Sequence, residues 1–159
     1  MIHVGVVDDD ALVRRVLTTL LNTQDDISVT WAATDGDEAL NHLNSSNQPD
    51  VEAVLLDIQM PHIDGITLAT IISTEFPQTA TLILTTFTDR QLVNRALAVG
   101  VNGFIAKEDS IESIAGAIRQ AVEGNIILSP KSGQHFRTTP SLTHIDDTSC
   151  DLNAQNKTQ

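Results

Sequence analysis

Residues 51–65 read Val51-Glu52-Ala53-Val54-Leu55-Leu56-Asp57-Ile58-Gln59-Met60-Pro61-His62-Ile63-Asp64-Gly65. Val51 to Leu56 is a short, mostly apolar run closed by an aspartate, the pattern of a parallel strand buried on both faces. A loop follows to Gly65. Ile66 to Phe76 then carries helical apolar spacing and stops at Pro77. The repeating unit is therefore strand, polar strand end, loop, helix.

The same unit recurs on either side. Ile2 to Val7 is an apolar run that ends in Asp8-Asp9-Asp10, and the helix Ala11 to Asn22 follows. Its apolar residues Leu12, Val13, Val16, Leu17, Leu20 and Leu21 fall on one face, which predicts a packed stripe. Ile27 to Ala33 alternates as a second strand. Gly36 to Leu43 is helical, with Ala39, Leu40 and Leu43 inward, and Pro49-Asp50 closes that connection. Downstream, Thr81 to Leu84 is a fourth strand ending in Thr85-Thr86. Asp89 is placed as the N-cap of a helix running to Val99, with Gly100 at C′. Gly103 to Ala106 is a fifth strand ending at Lys107. Ser110 caps a helix from Ile111 to Glu123 that stops at Gly124, and Ile126 to Leu128 forms a short extension. Five strand–helix units in alternation predict an α/β fold, a parallel sheet covered on both faces with right-handed crossovers. Five strands of this length favour the flavodoxin-like (βα)5 order 2-1-3-4-5.

The chain has 159 residues and 41% hydrophobic content, with four Phe, one Trp and no Tyr, so its core is aliphatic. The net charge is -12, with the acidic excess before residue 130, which disfavours binding to nucleic-acid phosphates or anionic membranes. The single Cys150 excludes an intrachain disulfide and multi-cysteine metal sites. The apolar runs are too short to span a membrane, and none is preceded by a signal peptide, so the expected location is the cytoplasm. After Pro130 the chain turns to Ser, Thr, Asn, Gln and Asp. The expected organisation is one domain over 1–128 and a flexible tail or linker over 129–159.

Four polar features then sit at strand ends: Asp8-Asp9-Asp10, Asp57, Thr85-Thr86 and Lys107. In the order 2-1-3-4-5 the topological switch lies between strands 1 and 3, so their aspartates converge at the carboxyl edge. Clustered carboxylates repel one another unless a cation joins them or their pKa values rise. A hard divalent ion such as Mg²⁺ accepts one or two carboxylates together with a phosphoryl oxygen. A carboxylate beside that ion is placed to act as a nucleophile, with Lys107 and the Thr85 hydroxyl at the phosphoryl oxygens. Singly, each feature has a blander reading: aspartates after strands often cap helices, and Asp10 is read as a cap or a solvated residue. The coincidence of four carries the argument.

Val6-Val7-Asp8-Asp9-Asp10, Asp57-x-x-Met60-Pro61-x-x-Asp64-Gly65, Leu84-Thr85-Thr86-Phe87 and Gly100-Val101-Asn102-Gly103-Phe104-Ile105-Ala106-Lys107 together resemble the receiver domain of two-component response regulators. The resemblance covers residues 1–128. It implies that Asp57 is the phosphoacceptor, served by a sensor histidine kinase. It implies that Mg²⁺ is held by Asp9 and Asp57, by Asp8 through water, and by the backbone carbonyl of Gln59. Lys107 pairs with the phosphoryl group, Thr85 is the switch hydroxyl and Phe104 the switch aromatic. A homodimer formed on phosphorylation is a further implication, and an enzyme is not expected.

Glu108 after Lys107 and the ending Leu128-Ser129-Pro130 resemble the NarL/FixJ subgroup, which carries a LuxR-type DNA-binding helix-turn-helix. Leu142-Thr143-His144 is similar to the start of that domain, but no apolar periodicity follows it. Direct contact with DNA is therefore expected only through a further C-terminal domain. The chain is read as a receiver-only regulator or a shortened two-domain one. Two rival functions are weighed: a phosphorylation-independent partner module, and a haloacid-dehalogenase-type phosphatase with Asp8 as nucleophile and Asp10 as acid/base. The latter pattern lacks its Thr or Val at position 12, where Leu12 stands. A flavodoxin-type ligand module lacks both a phosphate-cradling loop and aromatics to stack a flavin.

Overall fold

The computed structural model describes residues 1–58, 60, 63–85 and 90–128. The expected backbone ligand Gln59, the cap residue Asp89 and the tail 129–159 lie outside the described residues. The strands are β1 (Ile2–Val7), β2 (Ile27–Ala33), β3 (Ala53–Asp57), β4 (Ala80–Thr85), β5 (Gly103–Ala106) and β6 (Ile127–Leu128). The helices are α1 (Ala11–Leu21), α2 (Gly36–Asn44), α3 (Gly65–Glu75), α4 (Arg90–Ala98) and α5 (Ile111–Val122). All strand pairs are parallel, in the order β2-β1-β3-β4-β5-β6. This is the expected five-stranded order 2-1-3-4-5, lengthened by the two-residue β6 at its outer edge.

Period-two alternation explains why the central strands are apolar throughout. On β3, Ala53 and Leu55 face one core, and Val54 and Leu56 face the other. On β4, Leu82 and Leu84 point to the first side and Ile83 to the second. The first core is closed by Leu17 and Leu21 of α1 and by Ile114, Ala115 and Ile118 of α5. The second is closed by Ala39 of α2, Leu68 and Ile72 of α3, and Val93 and Ala96 of α4. Each fully buried Leu or Ile contributes about 1.5–3 kcal/mol relative to exposure, so polar residues are driven to the strand ends.

Helix α1 departs from its expectation. Only Leu17 and Leu21 are buried, whereas Leu12 is 67%, Val16 44% and Leu20 40% exposed. At roughly 100° per residue the six apolar side chains span half the helix circumference. The sheet covers only the half that ends in Leu21, which leaves Leu12, Val16 and Leu20 as an outward apolar row.

The helix ends follow local chemistry. Asp10 caps α1, accepting from the amides of Leu12 and Val13; Asp35 caps α2; Asp64 caps α3 through Thr67; Ser110 caps α5 through Ser113. Gly100 (φ +97°) and Gly124 (φ +98°) hold the left-handed turns that end α4 and α5.

Candidate functional site

The carboxyl edge of the sheet gathers charge because β1 and β3 are neighbours whose crossover helices leave in opposite directions. Asp8 follows β1 directly and is fully buried; Asp57 ends β3 and is 5% exposed; Asp9 projects to solvent. One carboxylate oxygen from each of the three lies within 4.8 Å of the others. Lys107, just beyond β5, reaches between them, with Nζ 3.1 Å from Asp8 Oδ2 and 3.5 Å from Asp57 Oδ2.

Asp8 is held at every polar group. Its amide donates to the Ala33 carbonyl (3.1 Å), its Oδ1 accepts from the Asp10 amide (2.9 Å), and its carbonyl accepts from Arg14 Nη1 (2.7 Å). Its Oδ2 is sealed from solvent and has the Lys107 ammonium 3.1 Å away as its charge partner. Burial pushes the Lys107 pKa down. Its contacts with the Asp8 carboxylate and the charge of Asp57 outweigh this and hold the ammonium above its ordinary 10.5. A buried, unsaturated carboxylate oxygen among three convergent carboxylates is a donor set that suits a small hard cation.

Thr85 ends β4 and is buried, and its carbonyl accepts from the Lys107 amide at 3.0 Å. Its register places it beside Ala106, one residue before Lys107. Phe104 is fully buried in the core shared with α3 and α4. Within the described residues, the side chains of Asp8, Asp9, Asp57, Thr85 and Lys107 thus lie on or next to this edge, and Phe104 lies in the core three residues before Lys107. Asp10 does not join the acidic group: its carboxylate caps α1.

Three features went unread in the sequence. Arg14 fastens the Asp8 carbonyl from the first turn of α1. Its signal was an arginine one turn past an acidic strand end. Asp109, only 9% exposed, closes the loop after Lys107: its Oδ2 accepts from the Ala106 amide (3.1 Å). Gly65 admits α3 against the end of β3, where a Cβ would stand 2.6 Å from the Asp57 carbonyl oxygen.

Comparison with known proteins identifies the family. Residues 4–119 match the response regulator receiver domain family. The transcriptional regulatory protein LnrK of Bacillus subtilis is 33% identical over 131 residues, 82% of this chain and 58% of its own length. The response regulator protein VraR of Staphylococcus epidermidis is 35% identical over 130 residues, 82% of this chain and 61% of its own. Among solved structures, the response regulator ChrA of a heme-sensing two-component system superposes with a TM-score of 0.70 at 30% identity, covering 88% of this chain and 66% of that one. The signal receiver domain of NarL from Mycobacterium tuberculosis gives 0.71 at 27% identity, covering 78% and 98%. The chain spans about six tenths of the length of the curated relatives it matches. Among the described residues no helix is long and apolar enough to cross a membrane.

Proposed function

The chain belongs to the response regulator receiver family, and from that premise we propose that Asp57 accepts a phosphoryl group from a sensor histidine kinase. The observation that carries the reading is the convergence of the Asp8, Asp9 and Asp57 carboxylates on one cation-sized space, with Lys107 bridging two of them. An Asp57 carboxylate oxygen attacks the phosphorus of the kinase's phosphohistidine. A P–O bond forms, the P–N bond breaks, and the imidazole leaves with its electron pair. Lys107, held protonated, follows the transferred charge onto the phosphoryl oxygens.

Mg²⁺ would be held by Asp9 and Asp57, by Asp8 through water, and by the Gln59 carbonyl. When bound it neutralises the negative charge that builds on the transferring group. The Thr85 hydroxyl serves the phosphoryl group as the switch hydroxyl, and Phe104 repacks beneath it. The surface of α4, β5 and α5 then changes partner affinity, which supports dimerisation on phosphorylation.

The kinase needs a surface beside the site. Leu12 and Val16 of the outward row border a groove of about 220 Å³ that reaches Lys107, and this supports docking by an amphipathic partner helix. Residues 1–128 make the receiver, and 129–159 lead onward as a linker. Relatives that are transcriptional regulators support an output of gene control in the cytoplasm, exerted on DNA through a further helix-turn-helix domain rather than through this acidic unit.

The test is incubation with a small phosphodonor and Mg²⁺, read by intact mass, for the native chain and Asp57→Asn. Phosphorylation of the native chain alone is the expected result. Gain in both would move the acceptor to another residue, Asp8 first. Gain in neither, with Mg²⁺ still bound, would leave a receiver that acts as a phosphorylation-independent partner module.

A further inference from the structure

At the opposite, amino end of the sheet lies a second cavity, of about 340 Å³, between the end of α2 and the turn from α3 into β4. That volume suits a small organic molecule. One wall carries the His42 ring, stacked on the buried Trp31 ring with centroids 4.9 Å apart at 4°. Half-buried Phe76 also lines the cavity, and exposed Asp50 and half-exposed Glu52 supply two carboxylates.

Glu52 is built into place. Its amide donates to the His3 carbonyl (2.8 Å), its own carbonyl accepts from the Ala80 amide (2.9 Å), and Oε1 accepts from the His3 amide (3.1 Å). Among the described residues no Lys or Arg pairs with Glu52 or Asp50. His42 turns one ring nitrogen to Gln48 Oε1 (3.1 Å), which fixes the ring plane against Trp31. An aromatic lining, a backbone-anchored Glu52 carboxylate without a Lys or Arg partner and a chain charge of -12 select one ligand chemistry. A planar cation offers parallel N–H groups to a carboxylate and a flat face to aromatic rings. Phosphates and carboxylates are repelled by the same walls.

We propose that this cavity is a binding site for a small planar organic cation of the guanidinium or amidinium class, separate from the Asp57 edge. Trp31 is the only tryptophan and the chain has no tyrosine, so intrinsic fluorescence reports from the cavity wall itself. The experiment titrates the full chain, with Mg²⁺ present, with benzamidinium, its neutral isostere benzamide and its anionic isostere benzoate. Trp31 fluorescence and backbone amide shifts are followed together. Benzamidinium is expected to saturate the signal with shifts centred on residues 31, 42, 52 and 76, and to bind at least about tenfold more tightly than benzamide, a difference of about 1.4 kcal/mol.

Glu52→Gln keeps an acceptor for the His3 amide and removes the charge. It is expected to abolish that preference while phosphorylation of Asp57 proceeds as before. Equal binding of benzamide, shifts centred on Asp8, Asp9 and Asp57, or no saturation up to about 10 mM would overturn the proposal. None of these outcomes touches the receiver reading.

Discussion

Glu52, one residue before β3, and Asp57, at its end, are acidic side chains on the same short stretch of chain, yet they live in opposite settings. Asp57 is 5% exposed, with Lys107 3.5 Å away and two more carboxylates within reach. Glu52 is half-exposed and bonded to backbone of β1, with no cationic partner among the described residues. At the carboxyl edge, crossovers after β1 and β3 leave toward opposite faces and open a space that polar strand ends must fill. At the amino edge the chain arrives by loops that wall a cavity with side chains of mixed character. One charge type thus becomes an electrostatic machine at one end and a recognition surface at the other.

The largest effect separates the ends outright. Asp57→Asn should abolish phosphorylation from a small phosphodonor, while Glu52→Gln should leave its rate unchanged, both by intact mass against time. A Glu52→Gln variant that phosphorylates as poorly as Asp57→Asn would break the contrast.

Next in size is Lys107→Met, which should slow phosphoryl transfer about 100-fold in stopped quench assays. The same variant sharpens the comparison through pH. The native fold holds the Lys107 ammonium above 10.5, so its stabilising contribution is complete below that pH and fades as pH rises through the higher folded value. Denaturation midpoints of the native chain should therefore fall in that alkaline range more steeply than those of Lys107→Met. Parallel curves would sink the assignment.

Smaller again is Arg14→Ala. Removing the 2.7 Å bond to the Asp8 carbonyl should weaken Mg²⁺ binding about tenfold, measured by calorimetry, as loss of a group that orients a metal ligand does. Arg14→Lys should recover part of it.

The smallest effect falls away from both ends. Arg119 makes a two-pronged pair with Asp26 (2.8 and 2.9 Å). That bond to the guanidinium holds the Asp26 carboxyl below its ordinary 3.8, so the pair's contribution is present above that value and lost as pH falls through the lower folded one. Being exposed and screened, Arg119→Ala should shift the denaturation midpoint least of the four and leave phosphorylation untouched.

Much of this was legible in the residues. Apolar runs closed by Asp8, Asp57, Thr85 and Lys107 locate the strands and their active ends, because a strand buried on both faces leaves polar groups nowhere else to go. Ser110, Gly100 and Gly124 announce helix ends through local bonds and positive φ, which need no tertiary partner. Other features were not legible. The row Leu12, Val16, Leu20 has the same composition as the buried half of α1, and only the width of the sheet beneath it decides which half is covered. Arg14 and Asp109 are charged residues in ordinary places until the folded loop brings them to the Asp8 carbonyl and the Ala106 amide. The short extension expected over Ile126 to Leu128 was legible as an apolar run, but only the folded sheet shows it pairing with β5 as β6.

By itself the sequence determined the fold class, the order of elements and which polar residues stand at the strand ends, because these depend on hydrophobic periodicity and on residue type at strand ends, both local properties. The tertiary structure decided which carboxylates converge closely enough to hold a cation, which of them Lys107 reaches, which apolar residues stay outside, and that a second cavity exists. Those depend on distances between residues tens of positions apart, and through-space Coulomb forces and packing set them only once the chain has closed.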